Sequence, residues 1–238
     1  MKSDRIRVFQ TLEHDCGYFP ARRARNLVID PLAPDIRRLY PLALGNGFRR
    51  SGGHIYRPNC TDCRACMPAR VPVREFRPSR SQKRCLQRNA DLQLTWAEAV
   101  HTPEIGDLYQ RYLRQRHPGG GMDDADASDF ERFLRCDWSP TRFLCLRDPN
   151  GRLLAVAVTD VLPHALSAVY TFYEPEAADR GLGTCGVLQQ IGLARLQGRK
   201  HLYLGYWIDG HRKMDYKRRF RPLQRLLNGE WSPLDPAD

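Results

Sequence analysis

The chain has 238 residues and 42% of them are hydrophobic, a share typical of folded globular proteins, which excludes a chain that is disordered throughout. The formal net charge is +11, with 33 arginines among the 38 basic residues, so nucleic acid, anionic lipid and acidic peptides are the partner classes to consider. The sequence has no apolar run of the roughly 18 residues that a membrane span needs, so no membrane association is expected. Its first residues lack the apolar core of a signal peptide, which predicts a cytoplasmic protein whose cysteines are thiols or ligands rather than disulfides.

The first 90 residues are predicted to form a small N-terminal module. They hold five of the eight cysteines, and eight prolines divide this part of the chain into short pieces. Little long-range periodicity is visible here, so something other than a large core is expected to tie the module together.

Residues 91–238 show longer regular patterns. "DLQLTWAE" alternates as a strand does, a helix is predicted from Pro103 to about Arg116, and Ser128 and Glu131 fit a capping box at the start of another helix. Three strand-like runs follow, "RFLCLR", "RLLAVAVTDVL" and "ALSAVYTFYE", and the middle run is apolar on both faces, which predicts a central strand. A helix over about 184–197, the strand "HLYLGYW" and a basic helix over 211–220 complete the predicted elements.

This order of elements, β-α-α-β-β-β-α-β-α, resembles the fold of the GCN5-related N-acetyltransferases, in which a splayed sheet holds the acyl donor. We therefore expect an α+β protein, with the small cysteine-containing N-terminal module of residues 1–90 followed by a GCN5-related N-acetyltransferase-like (GNAT-like) domain of residues 91–238. The pyrophosphate signature of the acetyltransferases, Q/R-x-x-G-x-G/A, is not kept: Ala178 stands where its basic residue belongs, ahead of Gly181 and Gly183. Coenzyme A is therefore not an expected partner.

A row of cysteines marks the N-terminal module. Cys60, Cys63 and Cys66 form C-x-x-C-x-x-C, a spacing that suits three ligands of an iron–sulfur cluster or of a zinc ion. A fourth ligand is needed, and Cys16 is the first choice, with Cys85 and His14 as alternatives. Three reduced thiols in a tight loop are the competing interpretation.

Two rows of basic residues flank the predicted sheet. The first follows the cysteines and the second lies near the end of the chain, and each contains a single acid, which favours contacts with phosphates over an ordinary solvated face. Aromatic residues interleave with the second row and suit the stacking of an unpaired base, although core packing is the commoner use of such side chains. The basic residues are Arg70, Arg74, Arg77, Arg80, Lys83, Arg84 and Arg88, then Arg212, Lys213, Lys217, Arg218, Arg219, Arg221 and Arg225, and the aromatic residues are Tyr203, Tyr206, Trp207 and Tyr216.

With these residues in view, the chain resembles the aminoacyl-tRNA–protein transferases, and among them the bacterial leucyl-transferring branch of the arginyltransferase family. The resemblance runs through most of both halves, in order. Its motifs are "HDCGYFP", "GFRRSGGHIYRPNCTDCRACMPARVPV", "FRPSRSQKR", "LAVAVTDVLPHALSAVYTFYEP", "RGLGT" and "YLGYWIDGHRKMDYKRRFRP".

The resemblance implies transfer of leucine from leucyl-tRNA to an N-terminal Asp or Glu of a protein, which marks that protein for degradation. The implied partners are leucyl-tRNA and proteins or peptides that begin with Asp or Glu, and neither DNA nor coenzyme A is among them. Eukaryotic arginyltransferases carry C-G-Y-C where this chain has Phe19 in "CGYF". Cys16, Cys60 and Cys63 match the family's cluster ligands, and the missing cysteine leaves an iron–sulfur cluster or a zinc ion as a structural option, with no cofactor required for the chemistry.

Aminoacyl transfer of this kind needs positioning more than a strong base, because the ester is already activated and an α-amine has a pKa of about 7.7–8.0. Asp160 interrupts an apolar strand and is the candidate to orient the amine or accept its proton, with a carboxylate satisfied by a turn as the alternative. Tyr170 and Tyr173 are candidates to present hydroxyls to the ester, or are core aromatics. Lys213 and Lys217, with Tyr206 and Tyr216, are the candidates for the 3′ end of the tRNA. The candidates for binding the acceptor's acidic side chain are Arg49, Arg50 and Arg57.

Three other functions compete with leucyl transfer. Arginyl transfer would use the same chemistry with another donor, and a coenzyme A-dependent acetyltransferase would share the fold. A metal-stabilised RNA-binding protein without enzymatic activity would share the cysteines and the charge. Leucyl-tRNA together with a peptide that begins with Asp separates the leucyltransferase from the RNA-binding protein, because the peptide gains one leucyl residue or nothing.

Overall fold

A computed structural model describes residues 6–116, 130 and 133–234. The predicted capping box of Ser128 and Glu131 lies outside these residues. The helices within them are α1 (Ile36–Gly45), α2 (Arg80–Arg88), α3 (Pro103–Arg116) and α4 (Leu182–Leu196). The strands are β1 (Val8–Gln10), β2 (His14–Asp15), β3 (Arg23–Ala24), β4 (Asn26–Ile29), β5 (Arg49–Ser51), β6 (His54–Pro58), β7 (Met67–Pro72), β8 (Gln93–Glu98), β9 (Thr141–Arg147), β10 (Leu153–Val161), β11 (Ala165–Tyr173), β12 (His201–Trp207), β13 (Gln224–Leu227) and β14 (Glu230–Pro233).

Among the described residues, eight strands form one large sheet in the order β14-β13-β7-β12-β11-β10-β9-β8. β8 to β11 form an antiparallel meander, and α4 then returns the chain so that β12 pairs in parallel with β11. The predicted central strand is β10, which lies between β9 and β11 with eight of its nine residues buried.

The N-terminal part contributes a strand to this sheet. β7 lies between β13 and β12 and is antiparallel to both. The predicted boundary between two domains after residue 90 stays a prediction. In the structure, β7 from before this boundary is hydrogen-bonded to β12 and β13, which come after it.

Two apolar clusters cover the two faces of the large sheet. On one face α4 packs through Leu182, Leu188 and Ile191 against β10, β11 and β12. On the other face α3 packs through Leu108 and Leu113 against β10 and β11. Burial on both faces explains why β10 has no polar alternation.

A small sheet, in the order β1-β4-β6-β5, lies beside the large one. Ile29, Tyr40 and Ile55 of this N-terminal region share a cluster with Tyr203 of β12 and with Leu162 of the turn between β10 and β11. The small sheet therefore packs against the large one, and two side chains of β5, Arg49 and Arg50, form hydrogen bonds with β11 and β10.

The predicted basic helix over 211–220 is wrong in type. The structure has a 3-10 segment at Asp215–Arg219 instead of an α-helix. The Trp207 indole donates to the Asp215 carboxylate at 3.1 Å, and the Lys217 ammonium donates to the Tyr206 carbonyl. Because a ten-residue helix is marginal by itself, such tertiary contacts decide its conformation.

No helix of the described residues is long and apolar enough to cross a membrane.

Candidate functional site

The large sheet opens where β11 and β12 separate. Within the described chain these strands pair from Ala165 opposite His201 to Ser167 opposite Tyr203 and no further. β11 then continues beside β10 to Tyr173, and β12 continues beside β7 to Trp207. The result is a V-shaped cleft with β11 on one side and β12 on the other, and this is the candidate site.

Backbone bulges mark the point of separation. Val169 of β11 has no opposite residue in the β10 register, and Leu204 of β12 has none in the β7 register. Bulges bend a strand and increase its twist, so two of them at the same level drive the strands apart. They also turn backbone groups out of the ladder, and the Val169 carbonyl is one of these.

Arg49 of β5 fills the apex of the cleft. Its Nη2 donates to the Val169 carbonyl at 2.6 Å. Its guanidinium also lies against Gly205, where a Cβ would stand 2.7 Å from Nη1. The φ of Gly205 is +71°, which other residues rarely adopt, so both space and conformation require glycine here.

The half-buried guanidinium of Arg49 has no carboxylate partner among the described residues. Electrostatic interactions connect it with the hydroxyls of Tyr18, Tyr56, Tyr206 and Tyr216. Burial, with smaller contributions from its neighbours, raises the pKa of Tyr18 to about 12. An unpaired cation in such a place attracts an anionic ligand.

Lys217 was predicted to bind tRNA phosphates, and the structure corrects this prediction. The side chain is buried, and its ammonium donates to the Tyr206 carbonyl and lies 3.6 Å from the Met214 sulfur. Burial lowers the pKa of Lys217 well below its usual value, and the charge of Arg49 lowers it further. Lys217 therefore braces the floor of the cleft, whereas Lys213 is exposed and remains a candidate for a phosphate.

Of the two tyrosines predicted to contact the 3′ end of the tRNA, one is buried and one is exposed. Tyr206 is buried, and its hydroxyl donates to the carbonyls of Gly47 at 3.1 Å and Tyr56 at 3.0 Å, so it has no face for a base. Tyr216 is 42% exposed and keeps its ring at the rim of the cleft.

The β11 side of the cleft is a tyrosine wall, formed by Tyr112, Tyr170 and Tyr173. The ring of Tyr112 lies 6.1 Å from that of Tyr170 and 5.0 Å from that of Tyr173, both edge-on. Burial raises the pKa of Tyr112 to about 12 and that of Tyr170 further, so these hydroxyls stay protonated. Tyr170 and Tyr173 are half-buried, and the Tyr170 hydroxyl has a hydrogen bond with Tyr112.

Asp160 was predicted to act on the amine, and its geometry does not support that role. The carboxylate accepts from Tyr40 at 2.6 Å, from Thr141 at 2.7 Å, and from Arg50 Nε and Nη2 at 2.7 and 2.8 Å. Neither Asp160 nor Arg50 has any exposed side-chain surface. The pair joins β10 to β5, so Arg50 is likewise not accessible to an acceptor.

The four predicted metal ligands line one cavity of about 350 Å³. Cys16 lies directly after β2, in the connection to β3. Cys60, Cys63 and Cys66 lie in the loop between β6 and β7. Cys66 interacts electrostatically with the other three, but the described residues contain no group of three or more Cys, His, Asp or Glu placed to hold a metal ion. Of the alternative fourth ligands, Cys85 lies on α2 against the Arg180 carbonyl and His14 is exposed on β2.

Arg57 lines this cysteine cavity rather than the apex of the cleft. Its guanidinium lies 5.0 Å from the centre of the Phe48 ring and donates to the Asn46 carbonyl at 3.1 Å. Of the three arginines predicted for the acceptor, only Arg49 is therefore in the cleft.

Several residues of the site have no role in the sequence predictions. Tyr18, Tyr56 and Tyr112 come from distant parts of the chain, and no local pattern indicates that they meet. Gly205 does have a signal, because an isolated glycine in a strand pattern such as "YLGYW" indicates a bulge or a close approach.

Comparisons with known proteins bear on both halves of the chain. Residues 14–84 match the family model described as the N terminus of arginine-tRNA-protein transferase, and residues 104–227 match the model of its C terminus. A protein of Stenotrophomonas maltophilia (strain K279a) named aspartate/glutamate leucyltransferase is 53% identical, over 98% of this chain and 95% of that protein. One of Xanthomonas axonopodis pv. citri (strain 306) with the same name is 56% identical, over 97% and 94%.

Solved structures show the fold alone. FemX aligns with a TM-score of 0.51 and 11% identity over 78% of this chain and 64% of that one. The C-terminal domain of a putative lysylphosphatidylglycerol synthetase from Agrobacterium fabrum aligns with a TM-score of 0.50 and 14% identity, over 82% of this chain and 63% of that one. With the topology of the large sheet, these matches confirm the predicted α+β class, with a cysteine-containing N-terminal region ahead of a GNAT-like domain.

Proposed function

This chain belongs to the arginine-tRNA-protein transferase family, and on that premise we propose that it transfers leucine from leucyl-tRNA to the N-terminal Asp or Glu of a protein. The observation that carries the proposal is the cleft between β11 and β12, with tyrosines along one side and, at its apex, an arginine that has no carboxylate partner among the described residues. Charged tRNA and reduced thiols both favour the cytoplasm as the place of reaction.

The reaction needs no covalent intermediate. The neutral α-amine of the acceptor attacks the ester carbonyl, a C–N bond forms, and the bond between that carbon and the ribose oxygen breaks. The amine loses one proton and the released ribose hydroxyl gains one. Holding amine and ester together supplies roughly 7–11 kcal/mol of the barrier reduction. We assign this positioning to the two sides of the cleft.

Arg49 is the residue that we assign to the acceptor's acidic side chain. A half-buried guanidinium without a carboxylate partner among the described residues gains from a ligand that carries one, because pairing offsets the charge where water is partly excluded. Its Nη2 is occupied by the Val169 carbonyl, and the remaining donors can face the carboxylate of Asp or Glu. An N-terminal Asn or Gln lacks that charge, so such peptides should be poor acceptors.

The tyrosine wall favours a leucyl over an arginyl donor. The acid nearest in sequence is Glu174, and it pairs with Arg111 at 2.9 Å and Arg152 at 3.0 Å. Among the described residues, the wall therefore offers aromatic carbon and hydroxyls but no unpaired carboxylate for a guanidinium. A leucyl side chain fits such a surface without the cost of an unpaired charge.

The direct test supplies leucyl-tRNA or arginyl-tRNA with peptides that begin with Asp, Glu or Asn. Peptides beginning with Asp and Glu are expected to gain the mass of one leucyl residue, and the Asn peptide to react at least about tenfold more slowly. Gain of an arginyl residue would move the assignment to the sister activity. A chain that binds tRNA without modifying any peptide would contradict the proposal.

The rate of leucyl transfer is expected to follow one ionisation, that of the acceptor amine. Below a pH of about 7.7–8.0 the amine is protonated, so the rate falls about tenfold for each pH unit, and above it the rate reaches a plateau. Because burial raises the pKa of Tyr170, its loss of a proton adds no step in this range. Tyr170→Phe should lower the plateau by about tenfold or less and leave the profile's midpoint unchanged. A midpoint that shifts in Tyr170→Phe would instead make this hydroxyl the titrating group.

A further inference from the structure

The cysteine cavity has a strongly cationic lining. Four arginines line it, and no aspartate or glutamate is among its described lining residues. Only Arg23 has acidic partners, Asp15 and Glu13. Building on the proposed function, we propose that this cavity binds a phosphate-bearing nucleotide of the single-stranded 3′ end of the donor tRNA.

The remaining three arginines, Arg22, Arg57 and Arg64, line the cavity without ion pairs to the described acids. Arg22 donates to the Cys63 sulfur at 3.3 Å and lies 4.4 Å from the centre of the Phe19 ring. Arg64 donates to the carbonyls of Cys60 and Cys63. Carbonyls, a thiol and aromatic rings orient these guanidiniums, and Arg22 and Arg64 are exposed, so a phosphate can reach them from solvent.

A metal ion does not fit the same space. A zinc ion or an iron–sulfur cluster needs four thiolates or imidazoles turned toward one point. Here the Arg22 guanidinium donates to the Cys63 thiol, and no three of the described Cys, His, Asp or Glu side chains are placed to hold a metal ion. The side chains of this cavity therefore do not support the metal site that was predicted from its cysteines.

The position of the cavity favours a phosphate over an acceptor carboxylate. Cys66 and Phe19 line the cavity and also pack against Tyr206 and Met214, which hold the Lys217 ammonium at the floor of the cleft. A layer of side chains therefore separates the cavity from the cleft. In an N-terminal Asp the carboxylate lies only two bonds from the carbon that bears the amine. In aminoacyl-tRNA, a whole ribose separates the ester from the nearest phosphate. With the ester in the cleft, that phosphate can therefore lie beyond the layer of side chains, in the cavity.

The size and the walls agree with a nucleotide. About 350 Å³ is the lower part of the range for pockets that enclose small organic ligands, and is large for one carboxylate. Phe19, Pro58, Met67 and Leu226 give the cavity an apolar side that suits a ribose or a base.

Binding of a 5′-labelled CCA trinucleotide to the full chain tests the inference. Arg22→Gln with Arg64→Gln is expected to weaken binding by about tenfold or more and to reduce its salt dependence. Arg38→Gln, an exposed arginine on α1, is the matched control and should bind like the wild type. In leucyl transfer, the double variant should raise KM for leucyl-tRNA and leave KM for the peptide unchanged.

A second measurement needs no variant. Cys60 and Cys63 are partly accessible, so bound trinucleotide should slow their alkylation by N-ethylmaleimide, as read by mass spectrometry of the peptides. An Asp-Ala dipeptide should not protect them. This measurement decides the matter if the double variant fails to fold.

Three results would overturn the inference. They are unchanged trinucleotide binding in the folded double variant, a rise in KM for the peptide alone, and one zinc or iron per chain in protein purified without oxygen. In each of these cases a wild type that still transfers leucine leaves the proposed function standing. A wild type that binds the trinucleotide but transfers nothing removes the proposed function instead.

Discussion

Arg49→Gln is expected to lower kcat/KM for a peptide that begins with Asp by roughly 100- to 1000-fold, mostly through KM. The substitution removes the charge at the apex of the cleft, and truncating one partner of a buried charge pair costs about 2–5 kcal/mol. The variant loses its bond to the Val169 carbonyl, yet it also loses a half-buried charge that has no carboxylate partner among the described residues. The midpoint of thermal unfolding should therefore stay within a few degrees of the wild type.

Two controls test whether the fall in kcat/KM comes from lost charge pairing: a peptide without an acidic first residue, and a substitution of Gly205. A peptide that begins with Asn should be affected about tenfold or less by Arg49→Gln, because it offers no carboxylate to Arg49. Gly205→Ala should also lower kcat/KM for the Asp peptide. Its Cβ would stand 2.7 Å from Arg49 Nη1, so the guanidinium would have to move. If Asp and Asn peptides lost the same factor, the charge pairing assigned to Arg49 would be wrong.

Breaking the pair of Arg50 and Asp160 should destabilise the fold more than any other single change considered for this chain. Asp160→Asn or Arg50→Met leaves one charge buried with no counter-charge, which typically costs about 3–5 kcal/mol. The double variant Arg50→Met with Asp160→Leu removes both charges and should regain a large part of that loss. Urea unfolding of the four proteins measures the coupling.

The same variants decide what Asp160 does. Activity of folded Asp160→Asn, measured well below its unfolding temperature, is expected to stay within about tenfold of the wild type, because the carboxylate has no exposed surface. Full stability combined with lost turnover would restore the catalytic role that the sequence suggested.

Sequence patterns located most strands and helices of the GNAT-like part but not the chemistry of its site. β10 was recognisable because a strand buried on both faces is apolar throughout. A charge in an apolar run needs a partner. In the sequence this made Asp160 look like a catalytic residue, and in the structure it is the reason for its structural role. The partners are Arg50, Tyr40 and Thr141, and they lie 110, 120 and 19 residues away in the chain, so no local pattern shows them.

The sequence by itself determined the family, the α+β class and the stock of cations and thiols, because these follow from motifs, periodicity and composition. Only the tertiary structure decided which cations are available. Arg49 and Arg50 are neighbours in β5, and side chains of neighbouring strand residues point to opposite faces, so one is held at the cleft and the other is buried against Asp160. Likewise Lys213 is exposed and Lys217 buried within one basic row. A charge acquires its role from the groups that surround it, and long-range contacts assemble those groups.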